Sequence, residues 1–263
     1  MSRRLLGAAT VLVLSAAALA GCAQGGSAPA PARSATSAPA LRGTITVDAA
    51  TSLNEVFPAL AKRFEAEHPG TSVTFSFGGS SALAASIVSG APVDVFAAAS
   101  ATTMRTVTDA ALTAGAPVVV ARNELEIAVP PGNPGRITGL ADFADAGKTV
   151  LVCAQEVPCG AAAVQVFQAA GVHARPDSYE PDVTSVLTKV EEGEADAGLV
   201  YVTDVRAADE KVDGIRFPQA DRAVTAYPIA ALKGSGNAAL ARAWVAYVAA
   251  HEADLQAVGF LAP

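Results

Sequence analysis

Clusters of basic residues are missing from this sequence. Its 18 lysines and arginines face 25 acidic residues over 263 positions, for a net charge of −7 and a pI near 5.0. Such a chain is a poor partner for nucleic acid or an anionic membrane, and it exerts no long-range pull on anions. Any anion it binds must be held by local dipoles. Histidine is scarce too, with only His68, His173 and His251. His68 stands beside Pro69-Gly70, His173 in a loop and His251 late in the last helix, so none sits at a strand end where a general base would work. No G-x-S-x-G elbow occurs. A secreted hydrolase with Ser52 or Ser80 as nucleophile is therefore disfavoured. Of three cysteines, only Cys153 and Cys159 lie close in sequence, and no histidine stands near them to complete a metal site.

A long apolar run is also lacking. The one candidate, Leu5 to Ala20, is short for a membrane span and follows Arg3-Arg4, as in an export signal. It ends Leu19-Ala20-Gly21-Cys22, which resembles a bacterial lipobox. The resemblance implies a signal peptide over 1–21, cleavage before Cys22 and a diacylglycerol on its sulfur. The alternative is an ordinary signal peptide with a chance cysteine. Residues 22–42 are mostly Ala, Gly, Ser, Pro and Thr and read as a flexible tether. Outside the membrane the surroundings are oxidising, so Cys153 and Cys159 are candidates for a disulfide, with two free thiols as the alternative.

In the remainder, strands and helices alternate, which predicts an α/β protein with mainly parallel sheets. Val73, Phe75 and Phe77 alternate with Thr74 and Ser76. Gly78-Gly79 then breaks the strand, and Ser80 or Ser81 opens a helix through Val88. A helix start carries unpaired N–H groups and the positive end of the helix dipole, so it can seat an anion. Equally, the serine can simply cap its own helix. The arrangement recurs. Thr44–Ala50 is a strand, and Ser52 with Glu55 fits a capping box for a helix to about Glu67. Thr149–Val152 leads through the cysteine loop to a helix over Ala161–Ala170. Tyr179-Glu180-Pro181 leads to Asp182, the expected N-cap, which puts Val183 in a first turn with a free N–H. Asp94 lies in the apolar strand Val93–Ala97, where local pairing is expected ahead of a catalytic role. Gly234 to Ala239 fits a loose dinucleotide fingerprint, but no following strand completes a βαβ unit.

Five segments, DAATSLNEVF, FGGSSALAASIVSGAPVDVFAAAS, VPCGAAA, EPDVTSVLTKVEEGEADAGLVYVTDV and YPIAAL, appear in this order. Together they resemble the periplasmic molybdate-binding proteins of ABC importers, from about Gly43 to the C-terminus. The resemblance implies a type II periplasmic-binding-protein fold of two α/β lobes joined by two hinge crossovers: lobe I over 43–122 and 225–263, lobe II over 123–224. It also implies that neutral donors hold the oxyanion, with no cofactor and no catalysis. Motif by motif, Ser52 and Ser80 would give hydroxyls, Cys159 and Val183 backbone N–H groups, and Tyr201 its phenol. They would be metal ligands only in the sense that molybdate contains molybdenum. The cysteine pair departs from the pattern and, if bonded, would stiffen one wall. The implied partners are molybdate or tungstate, a membrane permease and, through Cys22, the membrane of which the chain faces the extracytoplasmic side; the implied state is a monomer.

The chemistry stands apart from the resemblance. Molybdate at neutral pH is a fully deprotonated dianion and needs only donors. Protonated phosphate would bring an O–H without an acceptor, at about 1–3 kcal/mol. Sulfate differs only in size, so a receptor for another oxyanion such as sulfate is the alternative. A carboxylate receptor would clamp with arginine, for which Arg122 and Arg136 near the crossover are the candidates. A plain interaction module would bind no small ligand.

Overall fold

The computed structural model describes residues 40–263. Ten strands form two five-stranded sheets. In chain order the elements of the first lobe are β1 (Gly43–Ala50), a single 3-10 turn (Thr51–Leu53), α1 (Val56–Glu67), β2 (Thr71–Gly78), α2 (Ser80–Val88), β3 (Val95–Ala97), α3 (Ala101–Asp109) and β4 (Val118–Asn123). The second lobe follows with β5 (Leu125–Val129), β6 (Val150–Cys153), α4 (Pro158–Ala170), β7 (Ser178–Glu180), α5 (Val183–Glu191), β8 (Ala197–Tyr201), α6 (Val202–Ala208) and β9 (Asp213–Ile215). The chain then returns to the first sheet through β10 (Thr225–Ala231) and ends with α7 (Ala238–Ala250) and α8 (Glu252–Ala257).

The first sheet has the order β2-β1-β3-β10-β4 and the second β7-β6-β8-β5-β9. Each has one reversed strand, β10 or β5, antiparallel to both its neighbours. The reversed strand is in each case the first to enter its sheet after a crossover. The remaining β1, β2 and β3, and β6, β7 and β8, pair in parallel with helical connections, the arrangement that needs cover on both faces.

The two crossings lie side by side. Asn123 is fully buried, and its Nδ2 donates to Thr203 Oγ1 of the second lobe at 2.8 Å. Arg122 exchanges both backbone hydrogen bonds with Leu261, so the C-terminal tail lies along β4 next to the crossing. No helix among the described residues is long and apolar enough to cross a membrane.

The sequence reading needs correction at two helices. The capping box at Ser52 and Glu55 does not form: residues 51–53 make the 3-10 turn, and α1 starts only at Val56 without a side-chain cap. The Ser52 hydroxyl is engaged elsewhere, at 2.9 Å from the Tyr227 hydroxyl. From sequence, Thr102 to Ala114 reads as one helix, yet α3 stops at Asp109, and Ala111 turns into the left-handed region at φ 58°. Asp94 is paired, though not locally as expected: its Oδ2 accepts from the Thr46 N–H at 2.8 Å and its Oδ1 from the Ser235 hydroxyl. Those partners are near in space but distant in sequence.

Each lobe has its own core. In the first, Trp244 of α7 is fully buried and meets Phe57, Phe64 and Phe75 edge-on at ring separations of 5.9, 5.5 and 6.0 Å. In the second, Phe143 packs on Phe167 at 5.4 Å. Edge-on pairs add to the area these rings bury. Replacing Trp244 by Ala removes the centre of the first cluster and is expected to cost about 3–5 kcal/mol in urea unfolding. A cost below about 1 kcal/mol would contradict the assigned packing.

Candidate functional site

Five strand ends point at one cleft between the lobes. In the first lobe, β1 runs into the 3-10 turn that carries Ser52, and β2 runs through Gly79 into Ser80, the first residue of α2. In the second, β6 runs through the cysteine loop into α4, and β7 runs through Asp182 into α5. Tyr201 closes β8. Each helix starts where it does for a local reason. Pro158 suits the first turn of α4 because its missing N–H would be unpaired there anyway. Asp182 caps α5: its Oδ1 accepts from the Ser185 N–H at 2.9 Å and the Ser185 hydroxyl at 3.1 Å. That leaves the N–H of Val183 free at the helix tip.

Ser52, Ser80, Cys159, Val183 and Tyr201 all line a single cavity of about 20 Å³. That volume slightly exceeds what one water needs and is far below the several hundred Å³ of an organic-ligand pocket. Among the described residues no lysine, arginine or histidine lines it. Arg122, Arg136 and His173 are exposed. His68 packs at a tilt against Phe64, and His251 stacks on Tyr247 and bonds its carbonyl. One carboxylate, Asp182, does lie in the wall, which the sequence reading had seen only as a cap. Its Oδ1 is engaged by the Ser185 donors of its own helix.

The hydroxyls are set up as donors. Ser80 is buried, and its Oγ accepts from the Ala99 N–H at 3.0 Å. An N–H can only donate, so the Ser80 hydrogen stays free. The Tyr201 hydroxyl is buried and has no hydrogen-bond partner among the described residues, although Thr225 and Tyr227 stand near it. Burial pushes its phenol well above the usual tyrosine range, so it remains a neutral donor at any physiological pH. Such an orphaned polar atom inside a folded protein calls for a partner.

The second wall is pinned. Cys153 and Cys159 are joined in a disulfide with Cα atoms 5.7 Å apart, closing the loop from β6 to α4. Gly160 follows, and a Cβ there would fall 1.9 Å from the Ala154 carbonyl oxygen, so only glycine lets the helix sit this tightly on its loop. The lobes also touch across the cleft. The Ser81 hydroxyl donates to the Glu156 carbonyl at 2.7 Å. A Cβ on Gly79 would lie 2.5 Å from the Pro181 oxygen. Sequence reasoning placed Gly79 in a turn and Ser81 at a helix start but gave neither a contact across the cleft, and it did not single out Ala99, since these roles depend on which segments meet.

Behind Tyr201 lies Asp204, buried, whose Oδ2 accepts from the Tyr201 N–H at 2.8 Å. Burial pushes its carboxyl up to about 7, reinforced by the charge of Asp182 and opposed by the Tyr201 N–H. The folded state therefore holds this proton more tightly than the unfolded one, whose value is 3.8. The resulting stability is fully present below about pH 4 and is lost as pH rises towards 7, by at most about 4 kcal/mol. Urea unfolding between pH 4.5 and 7.5 should show this decline in the wild type and a shallower one in Asp204→Asn. A residual slope belongs to Asp48 and Glu126, both also raised by burial, Glu126 against the pull of Arg216. Equal slopes in both proteins would refute the assignment.

Residues 45–257 match the family model described as bacterial extracellular solute-binding protein. The chain is 44% identical over 222 residues to the molybdate-binding protein ModA of Mycobacterium tuberculosis, covering 84% of this chain and 85% of the relative. The fold is shared with the Azotobacter vinelandii periplasmic molybdate-binding protein at a TM-score of 0.71 and 22% identity, covering 83% and 99% of the two chains. It is shared at the same TM-score of 0.71 with the sulfate-binding protein SubI of Mycobacterium tuberculosis, at 15% identity and 83% and 86% coverage.

Proposed function

The chain belongs to the molybdate-binding family of bacterial extracellular solute-binding proteins, which bind a solute and are not enzymes, and on that premise we propose that it captures molybdate, and tungstate with it, for an ABC importer. The observation that carries this reading is the neutral cavity: a buried, unpartnered Tyr201 hydroxyl and a Ser80 hydrogen with no other use, in a wall without a cation. Donors alone suit a dianion without protons. Asp182, whose Oδ1 is held by Ser185, is the one carboxylate among the lining residues that could accept the O–H of a protonated phosphate. The helix tips of α2, α4 and α5 spread the opposing partial charge, as at other anion sites.

Ser52, Ser80, Cys159, Val183 and Tyr201 are the proposed ligand contacts, the first two from one lobe and the last three from the other. A ligand touching both favours the shut form, which a permease would then recognise. Anchoring through a lipid on Cys22 extends the proposal to the extracytoplasmic membrane face; Cys22, with the signal peptide over 1–21, lies outside the described residues. A monomer suffices, because each chain carries both halves of its cleft.

Sulfate is the second reading, favoured by the fold shared with a sulfate-binding protein. It differs from molybdate in size, not in hydrogen-bonding needs. Titration calorimetry with molybdate, tungstate, sulfate and phosphate separates them. Tight molybdate and tungstate binding with weak sulfate and absent phosphate binding is expected, and sulfate as the tightest ligand would overturn the reading. Ser80→Ala should weaken molybdate binding by about 1–3 kcal/mol, roughly 5- to 150-fold. Unchanged affinity would remove Ser80 from the set.

A further inference from the structure

A serine has one hydrogen to give, and whether a ligand receives it depends on what stands behind the oxygen. Behind Ser80 stands the Ala99 N–H, and the outcome is fixed. Behind Ser52 stands the Tyr227 phenol at 2.9 Å, which can donate or accept. Tyr227 is almost fully buried and does not line the cavity. It sits on β10 opposite Ala121 of β4, where the pairing slips between Tyr227 and Pro228. Pro228 has no N–H for the ladder, and such a bulge re-aims the neighbouring side chain. The ring is held edge-on between Phe260 at 5.1 Å and Tyr201 at 6.1 Å. With the ring held, the phenol oxygen is fixed and only its hydrogen can turn.

We propose that Tyr227 is a positioning residue for oxyanion capture: its phenol donates to Ser52 Oγ, so that the Ser52 hydrogen points into the cavity. The inference rests on the oxyanion reading given above. It makes the two serines equivalent, each oxygen filled from behind by a donor and each hydrogen free in front. It also explains why Ser52 does not cap α1. Burial pushes the Tyr227 phenol well above its ordinary range, so its proton stays available. When the anion accepts from Ser52, the oxygen of Ser52 becomes a better acceptor for Tyr227, and each bond of the chain strengthens the next. Without the phenol, the Ser52 hydrogen is free to turn to other acceptors, and its oxygen loses its donor.

The test is a double-mutant cycle on molybdate affinity, measured by calorimetry in the wild type, Tyr227→Phe, Ser52→Ala and the double variant, with thermal unfolding of each ligand-free protein. Tyr227→Phe keeps the ring and its packing. It is expected to weaken binding about 5-fold, the loss of one net hydrogen bond. In the Ser52→Ala background the same change should weaken binding less than about 2-fold, because nothing remains to position. Wild-type affinity in Tyr227→Phe, or equal losses in both backgrounds, would overturn the proposal. If Tyr227→Phe lowers the melting temperature, the cycle measured below all four midpoints still decides, since a general loosening acts with or without the Ser52 hydroxyl. A wild type that binds no oxyanion would instead sink the functional reading and this inference with it. Binding by the wild type without coupling removes only the role of Tyr227.

Discussion

A doubly charged anion can be held without a counter-charge only where enough N–H and O–H dipoles converge on it in a space closed to water. On the proposed reading, the rest of this structure answers that requirement. No single strand or helix can place donors on every side of a tetrahedral ion. Two sheets facing each other across a hinge can, because each ends its strands in helix tips on the same cleft. Water screens such dipoles strongly and a closed cavity far less. A cavity of about 20 Å³, lined from both sides, is the consequence.

Several features serve this arrangement at a distance from it. The reversed strands β5 and β10 set the crossings side by side, with the buried Asn123–Thr203 hydrogen bond between the lobes. The disulfide and Gly160 hold the tip of α4 down on its own loop. That loop also provides the Glu156 carbonyl that receives Ser81 from the facing lobe. One short segment thus forms a cavity wall and a contact across the cleft. Asp204 holds the Tyr201 backbone from behind, at the expense of a buried carboxyl.

The legible parts of the sequence were those ruled by local pattern. Val73–Phe77 alternates because one face of β2 is buried, and Asp182 caps α5 because its carboxylate reaches Ser185 three residues on. Asp94 was read as a paired carboxylate, though not with Thr46 and Ser235 as its partners. What could not be read were contacts between distant segments. Ser52 and Tyr227 are 175 residues apart, and their hydrogen bond displaced the capping box that the local sequence suggested. Ser81 looked like an equal candidate with Ser80, and only the facing loop separates their roles. Antiparallel entry of β5 and β10 is likewise a property of the crossover, not of either strand's composition. The size of the cavity, on which sulfate and molybdate part, is written in no motif.

The most direct test is a crystal structure of the chain grown with molybdate, with anomalous diffraction recorded across the molybdenum edge. The account predicts one strong molybdenum peak between the lobes, within hydrogen-bond reach of the Ser52, Ser80 and Tyr201 hydroxyls and the N–H groups of Cys159 and Val183. A peak elsewhere, or an arginine or metal cation neutralising the ion in the cleft, would contradict it.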